Sequence, residues 1–208
     1  MRGPQKTSRE DWMNIALDTL ISDGVDSVKV SELSAKLGCA RSSFYWYFGN
    51  RKDLLNALLD HWQATNTSAI VTQANRPADT ICMALVNVFS GWLHSGKFNT
   101  QLDFAVREWA RRDGSVRRAV DLSDEARMSA LEGMYERFGY PKSEARIRAR
   151  ILYFTQIGYD ALDSRDSMLE RAKTGPDYLY CLTGVVPTEA ENKALVELTG
   201  YKLEDIQT

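Results

Sequence analysis

Residues 33–48 read LSAKLGCARSSFYWYF, and NRKDL follows at 50–54. Val30, Leu33 and Leu37 share one face of a short helix over 30–37. Gly38 stands just past its end, where the chain must turn left-handed and only a residue without a Cβ does so without penalty. A second short helix is predicted from Arg41 to Tyr47. Five consecutive aromatic residues, Phe44 to Phe48, cannot all face one core. Phe44 and Phe48, four apart, take the inner face, and Tyr45, Trp46 and Tyr47 need another destination. Short helix, glycine turn, short helix is the outline of a helix-turn-helix, whose second helix lies in the major groove of DNA.

The flanks supply the rest of a three-helix module. Upstream, Trp12, Ile15, Ala16, Thr19 and Leu20 recur at helical spacing and predict a helix over 8–22, stopped at Asp23-Gly24. Downstream, Asn50 is placed to cap another helix, with Asp53 three positions on answering its free amides. Leu54, Leu55, Leu58, Leu59 and Trp62 carry that helix to Ser68 or beyond. From Leu33 to Lys52 the charged residues are Lys36, Arg41, Arg51 and Lys52, without a single Asp or Glu, in a chain whose formal net charge is −2. That local positive window suits phosphate, whereas the balanced whole does not read as a protein coated in nucleic acid. Arg41, Ser42 and Ser43 are donors suited to base edges and phosphate oxygens, and the Tyr45 and Tyr47 hydroxyls to phosphates.

The run from Leu33 to Phe48, ending in Tyr-x-Tyr-Phe, together with Asn50-Arg51-Lys52-Asp53-Leu54, resembles the DNA-binding signature of the tetracycline-repressor (TetR) family over roughly residues 8–62. The resemblance implies that Arg41, Ser42, Ser43, Tyr45, Trp46 and Tyr47 face DNA. It also implies that Arg51, with Lys52 beside it, holds a phosphate at the start of the following helix. Departures from the family pattern are Val28 and Lys29 where Thr is common before the second helix, Ala40 in place of a capping Ser, Ser42 for a frequent Gly and Trp46 for a frequent His. They bear on which bases are read. Trp109-Ala110-Arg111-Arg112-Asp113 followed by Val116-Arg117-Arg118 resembles a turn of one branch of these regulators.

Beyond the module the periodicity stays helical. Segments are predicted from Pro77 to about Gly96, 99–112, 116–138, 143–164, 167–182 and 188–198, with a polar tail and no strand-like alternation. The fold class is all-α: a flexible arm over 1–7, a helix-turn-helix DNA-binding domain over 8–67, and a helical effector-binding and dimerisation domain over 68–208.

Composition narrows the function. Cys39, Cys82 and Cys181 are scattered and odd in number, which argues against a disulfide framework or zinc site and for a reducing compartment. No targeting segment and no apolar run long enough for a membrane span is read, so the expected location is cytoplasmic. His61 and His94 lack companions at metal-ligand spacing. Neither a phosphate loop nor a nucleophile constellation is present, so no enzyme activity, metal or cofactor is expected. Cys39 reads as a small packing residue. The arm residues Arg2, Lys6 and Arg9 suit either phosphate or minor-groove contact or a solvated tail.

The second half is rich in aromatic residues, which fill either a dense core or a mostly apolar pocket. The family resemblance favours a pocket drawing on Trp92, Phe104, Trp109, Tyr135, Tyr153 and Tyr159, for an apolar or aromatic small molecule with one or two polar groups. The helix over 143–164 has two apolar faces, Ile147-Ile151-Phe154-Gly158-Ala161 and Leu152-Thr155-Tyr159-Leu162. One reads as core and the other, with Gly158 admitting a close helix, as a homodimer interface. Two functions follow. The first is a ligand-responsive repressor binding a palindromic operator in double-stranded DNA as a dimer. The alternative is a helical small-molecule-binding or protein-interaction protein whose helix-turn-helix is non-functional.

Overall fold

The computed structural model describes residues 7–93, 98–162 and 166–206. Arg2, Lys6, His94 and the expected helix ends at Gly96 and Ser164 lie outside them. The described residues form helices and turns without a strand. In chain order the helices are α1 (Arg9–Asp23), α2 (Val30–Leu37), α3 (Arg51–Trp62), α4 (Ser68–Ala74), α5 (Ile81–Leu93), α6 (Thr100–Ala110), α7 (Gly114–Arg137), α8 (Lys142–Ala161), α9 (Met168–Thr183), α10 (Glu189–Glu197) and α11 (Leu203–Ile206). Two segments are wound differently. Arg41–Trp46 is a 3₁₀ helix, and Gln63–Thr67 is a π-helical stretch joining α3 to α4.

Local chemistry sets the boundaries. Ser8 and Asp11 close a reciprocal capping box on α1, Asn50 accepts from the Asp53 amide at the head of α3, and Gly38 ends α2 at φ 63°. The helix after α3 runs six residues past Ser68, to Ala74, because Ala69, Ile70 and Ala74 are buried. Pro77 does not open α5. The Thr80 hydroxyl accepts from the Met83 amide at 3.1 Å, and the helix begins after that cap. The expected polar tail contains the short α11.

Two compact units emerge. The first comprises 1–65 and 99–122, and the second 66–98 and 123–208. The sequence reading placed everything after residue 67 in a second domain. In the structure α6 and the start of α7 pack with the first unit, because Leu102, Val106, Trp109, Ala110, Val116 and Val120 complete the apolar cluster begun by Trp12, Leu20, Phe44, Leu54 and Trp62. That cluster holds the recognition segment in place. Trp12 meets Phe44 edge to face at 5.2 Å, and Phe44 stacks on Phe48 at 5.3 Å. Truncating a side chain as buried as Phe44 typically costs about 3–5 kcal/mol.

The second unit is built on α4 and α5, which cross closely at Gly91: a Cβ there would lie 2.9 Å from Gln73 Cγ. Ile81, Leu85, Leu131, Tyr135, Leu152 and Leu179 centre its core. Glu191 ties elements together. It closes a capping box with Thr188 on α10 and accepts a hydrogen bond from the Thr80 hydroxyl before α5. The Tyr140 hydroxyl donates to Thr183 O at 2.6 Å and Arg148 Nη1 donates to Leu182 O at 2.8 Å.

Candidate nucleic-acid interface

The 3₁₀ winding of Arg41–Trp46 sorts its side chains sharply. Phe44 is 0% and Phe48 4% exposed, whereas Tyr45 is 59% and Trp46 74% exposed. Arg41 and Ser42 are also exposed and Ser43 is half-buried. Ala40 precedes the segment without a side-chain cap, as its methyl dictates. Ser43 Oγ instead donates to Ala40 O at 2.8 Å. The result is a short, outward-facing ledge of hydroxyl, guanidinium and aromatic groups on a rigid apolar base.

The four cations of the positive window divide into two pairs. Lys36 is tied inward, donating to Thr19 Oγ1 and Asp23 Oδ2, each at 2.9 Å. The ammonium beside Asp23 holds that carboxyl below its ordinary range. Arg51 is also engaged. Its Nε donates to Val28 O at 2.5 Å and its Nη2 to Val25 O at 2.6 Å, so the fork spans the turn between α1 and α2. The guanidinium expected on phosphate thus pins the chain of its own module. Arg41 and Lys52 are exposed, with no ion pair among the described residues. Tyr47 is half-buried and its hydroxyl donates to Thr7 O at 2.5 Å, a partner no local pattern in the sequence announces.

The six aromatic pocket candidates are divided between the two units, two in the first and four in the second. Phe104 and Trp109 lie on α6 in the first unit, where Trp109 is 7% exposed in the apolar cluster, because the buried stripe of α6 faces α1 and α3. Tyr135 is fully buried in the second unit and donates to Leu182 O at 3.3 Å; burial pushes its phenol far above the ordinary value, so it serves as a neutral core donor. Trp92 is half-buried, edge-on to Phe89 at 5.8 Å, and its buried indole N–H lacks a hydrogen-bond partner. Tyr159 lies under the Arg171 guanidinium at 5.0 Å. Tyr153 donates to Asp124 Oδ1 at 2.6 Å and accepts from Arg127 Nη1 at 3.2 Å. Arg127, entirely buried, also donates to Thr67 Oγ1 at 3.1 Å and lies 5.8 Å from the Phe98 ring. Sequence reasoning missed it, since an arginine on a charged helix ordinarily faces water.

On α8 the buried stripe is Ala145, Ala149, Leu152 and Tyr153. Thr155 and Leu162, expected on a core face with Leu152, are exposed, because the stripe drifts round the helix within two turns. Ile147, Ile151 and Phe154 are 55%, 52% and 48% exposed, Ala161 is exposed, and Gly158 is half-buried. Among the described residues nothing lies within 4 Å of a Cβ placed on Gly158, so no described helix accounts for the glycine.

This geometry has counterparts in known proteins. Residues 14–58 match the model described as bacterial regulatory proteins, tetR family. The likeness to the tetR family covers this module. The chain is 37% identical over 60 residues to the class A tetracycline repressor protein from transposon 1721 of Escherichia coli, a match covering 29% of this chain and 28% of that repressor. The likeness of fold extends further than the sequence match. A transcriptional regulator from Rhodococcus sp. Rha1 superposes over 96% of this chain and 97% of its own at TM-score 0.55 and 21% identity. The fatty acid degradation regulator FadR from Bacillus halodurans does so over 94% and 96% at TM-score 0.54 and 17% identity. No helix among the described residues is long and apolar enough to cross a membrane.

Proposed function

We propose that this chain is a ligand-responsive transcriptional repressor that binds a palindromic operator as a homodimer in the cytoplasm. Residues 8–67 read DNA, and the remainder carries effector binding and dimerisation. The observation that carries the reading is the ledge itself. Tyr45 and Trp46 stand exposed between two buried phenylalanines, beside Arg41 and Lys52, on a segment too short to need five aromatic residues for its own packing. Arg41, Ser42 and Ser43 read base edges, while Lys52 and Tyr45 hold phosphates. Symmetric half-sites about one helical turn apart double the few contacts one such ledge offers.

The effector is a largely apolar or aromatic small molecule with one or two polar groups. Trp92, Tyr153 and Tyr159 in the second unit are the aromatic side chains it meets. Helical backbone runs without a break from Arg51 to Ala74, and its π-helical stretch, a form often found at functional sites, lies where the chain passes from one unit to the other. The effector acts through that helix.

Selection of bound fragments from genomic DNA, followed by retardation of the recovered duplex at rising salt, tests the DNA-binding reading. A palindromic duplex whose binding constant falls steeply with salt supports it. Recovery of no duplex even at low salt overturns it. Once a ligand is in hand, reciprocity requires operator DNA to weaken its affinity by the factor by which it weakens operator binding. Equal ligand affinity with and without operator excludes release by this route.

A further inference from the structure

Where α4 crosses α5 in the second unit, two polar side-chain atoms are buried without a hydrogen-bond partner among the described residues: Gln73 Oε1 on α4 and Trp92 Nε1 on α5. Each residue is half-buried, but its unpartnered atom is shut off from water. The two belong to one neighbourhood. Gln73 lies over Gly91, where a Cβ would stand 2.9 Å from Gln73 Cγ and 3.5 Å from Ala69 O, and Trp92 is the next residue of α5. Any side chain at 91 would therefore push the glutamine away. A glycine inside a helix weakens it, and at this position it admits Gln73 against α5. Trp92 in turn rests edge-on to Phe89 at 5.8 Å.

The fold of the unit does not call for these two polar atoms. Methionine would give the length of glutamine and phenylalanine the aromatic contact, and neither would leave a buried group stripped of water without a replacement bond. Elsewhere in the same unit buried phenols are answered: the Tyr135 hydroxyl donates to Leu182 O and the Tyr140 hydroxyl to Thr183 O. What is left over at the crossing is one acceptor and one donor. A carboxylate, which only accepts, would serve the indole and be repelled by the amide oxygen. An ammonium, which only donates, would serve the oxygen alone, and either would carry a charge whose burial is costly. A hydroxyl does both and is neutral.

We infer that Gln73 and Trp92 are the polar end of a small-molecule site in the second unit, and that its ligand is an uncharged, largely apolar alcohol or phenol. The ligand hydroxyl donates to Gln73 Oε1 and accepts from Trp92 Nε1, and Phe89 and the indole ring flank its apolar part. The inference rests on the effector-binding reading and narrows the effector to a hydroxylated, uncharged molecule. Gly91 is then a positioning residue, since it sets where the glutamine lies.

Titration calorimetry of the full chain tests this with octanol, cyclohexanol and naphthol, each beside its methyl ether and the carboxylate of the same skeleton. The ether is neutral but only accepts. At least one alcohol should bind more tightly than both its ether and its carboxylate. Gln73→Met should weaken that alcohol by roughly 3–10-fold, the worth of one hydrogen bond, and leave the ether unchanged. Trp92→Phe should weaken alcohol and ether alike. If no alcohol exceeds its ether and carboxylate, or if wild type and both variants bind alike, the two atoms hold only buried water and the site is overturned. Melting of the ligand-free proteins guards against a purely structural role: Gln73→Met removes an unpartnered acceptor and should melt no lower than wild type, and a lower value overturns the assignment. Retardation of the selected duplex with the best alcohol present separates the site from the effector reading. Binding that depends on Gln73 and Trp92 but leaves operator affinity untouched refutes the effector reading and keeps the site. Release from the operator that persists in both variants refutes the site and keeps the effector reading.

Discussion

The Trp62 indole N–H donates to Asp103 Oδ1 at 2.8 Å across 41 positions of sequence, and both side chains are buried. Asp103 Oδ2 accepts from Arg107 Nε, also at 2.8 Å, so one carboxylate serves α3 and the next turn of its own helix. Here α6 is fastened to the helix that begins at the recognition segment. A hydrogen bond to a charged group contributes about 1.5–3 kcal/mol net. Trp62→Phe is expected to lower unfolding free energy by about that amount, plus a smaller loss of apolar contact. Asp103→Asn keeps an acceptor for the indole but loses the Arg107 ion pair, and should cost less than Asp103→Leu. Urea midpoints at constant slope measure these costs, and in a double-mutant cycle Trp62 and Asp103 should couple by at least about 1 kcal/mol. Additive losses would show that the pair does not join the helices.

Arg51 and Lys52 are adjacent cations with opposite expected phenotypes. Arg51→Ala removes both donors from the Val25 and Val28 carbonyls and should destabilise the first unit by about 1.5–3 kcal/mol. Arg51→Lys should recover little, since an ammonium cannot reproduce a planar fork spanning two carbonyls. Lys52→Ala should leave stability within about 0.5 kcal/mol while reducing the salt slope of DNA binding by about one unit. Thermal melts and salt titrations of the same proteins separate the pair. An Arg51→Ala protein of unchanged stability would mean that the residue is free for phosphate after all.

These two cases mark how far the sequence could be read. The turn at Gly38, the cap at Asn50 and the inward faces of Phe44 and Phe48 were legible because each depends on neighbours within four residues, where backbone sterics and helical period decide. Arg51 was legible as a cation but not as a clasp, because its acceptors are backbone carbonyls, which every residue has. The Trp62–Asp103 bond and the allocation of α6 to the first unit depend on partners about 40 or more positions away. Pocket membership was not legible for a related reason. Aromatic content counts candidates but does not tell Tyr135, held by Leu182 O in the core, from Trp92 with its unpartnered indole. The ledge itself could be inferred only by elimination, since five successive aromatics exceed one face.

Glu191 makes the stability of the second unit depend on acid. Burial alone raises its carboxyl, but hydrogen bonds from the Thr80 hydroxyl and from the Thr188 amide and hydroxyl outweigh that, and the net shift is downward from 4.5. A folded value below the unfolded one means that the ionised carboxylate stabilises the fold. That contribution is complete above about pH 4.5 and is lost as pH falls through the lower folded value. Glu191→Gln should therefore reduce stability at pH 7 and flatten the decline of stability below about pH 4.5. Thermal melts of both proteins across this range should converge at the acid end. Parallel curves would show that Glu191 does not supply the pH dependence.

The α8 face of Ile147, Ile151, Phe154 and Ala161 should close the homodimer. Three large apolar side chains about half exposed on one stripe are an unusual cost for a soluble surface, and a second copy covering them removes that area from water at roughly 25 cal/mol per Å². Ile151→Glu puts a charge at the middle of the stripe, touching no core residue of its own unit, and should give a folded monomer with unchanged helical content. Gly158 distinguishes the interface from the fold more finely. Among the described residues of one chain a Cβ there meets nothing within 4 Å, so Gly158→Ala should stabilise an isolated monomer by about 0.5–1 kcal/mol through helix propensity. Gly158→Leu, with its branched bulk at the seam, should weaken dimerisation and, with it, operator binding. Light scattering across micromolar concentrations, paired with melts of the Ile151→Glu background carrying each Gly158 substitution, reads both effects. A wild-type monomer, or a Gly158→Leu protein that dimerises as tightly as wild type, would move the interface off this face.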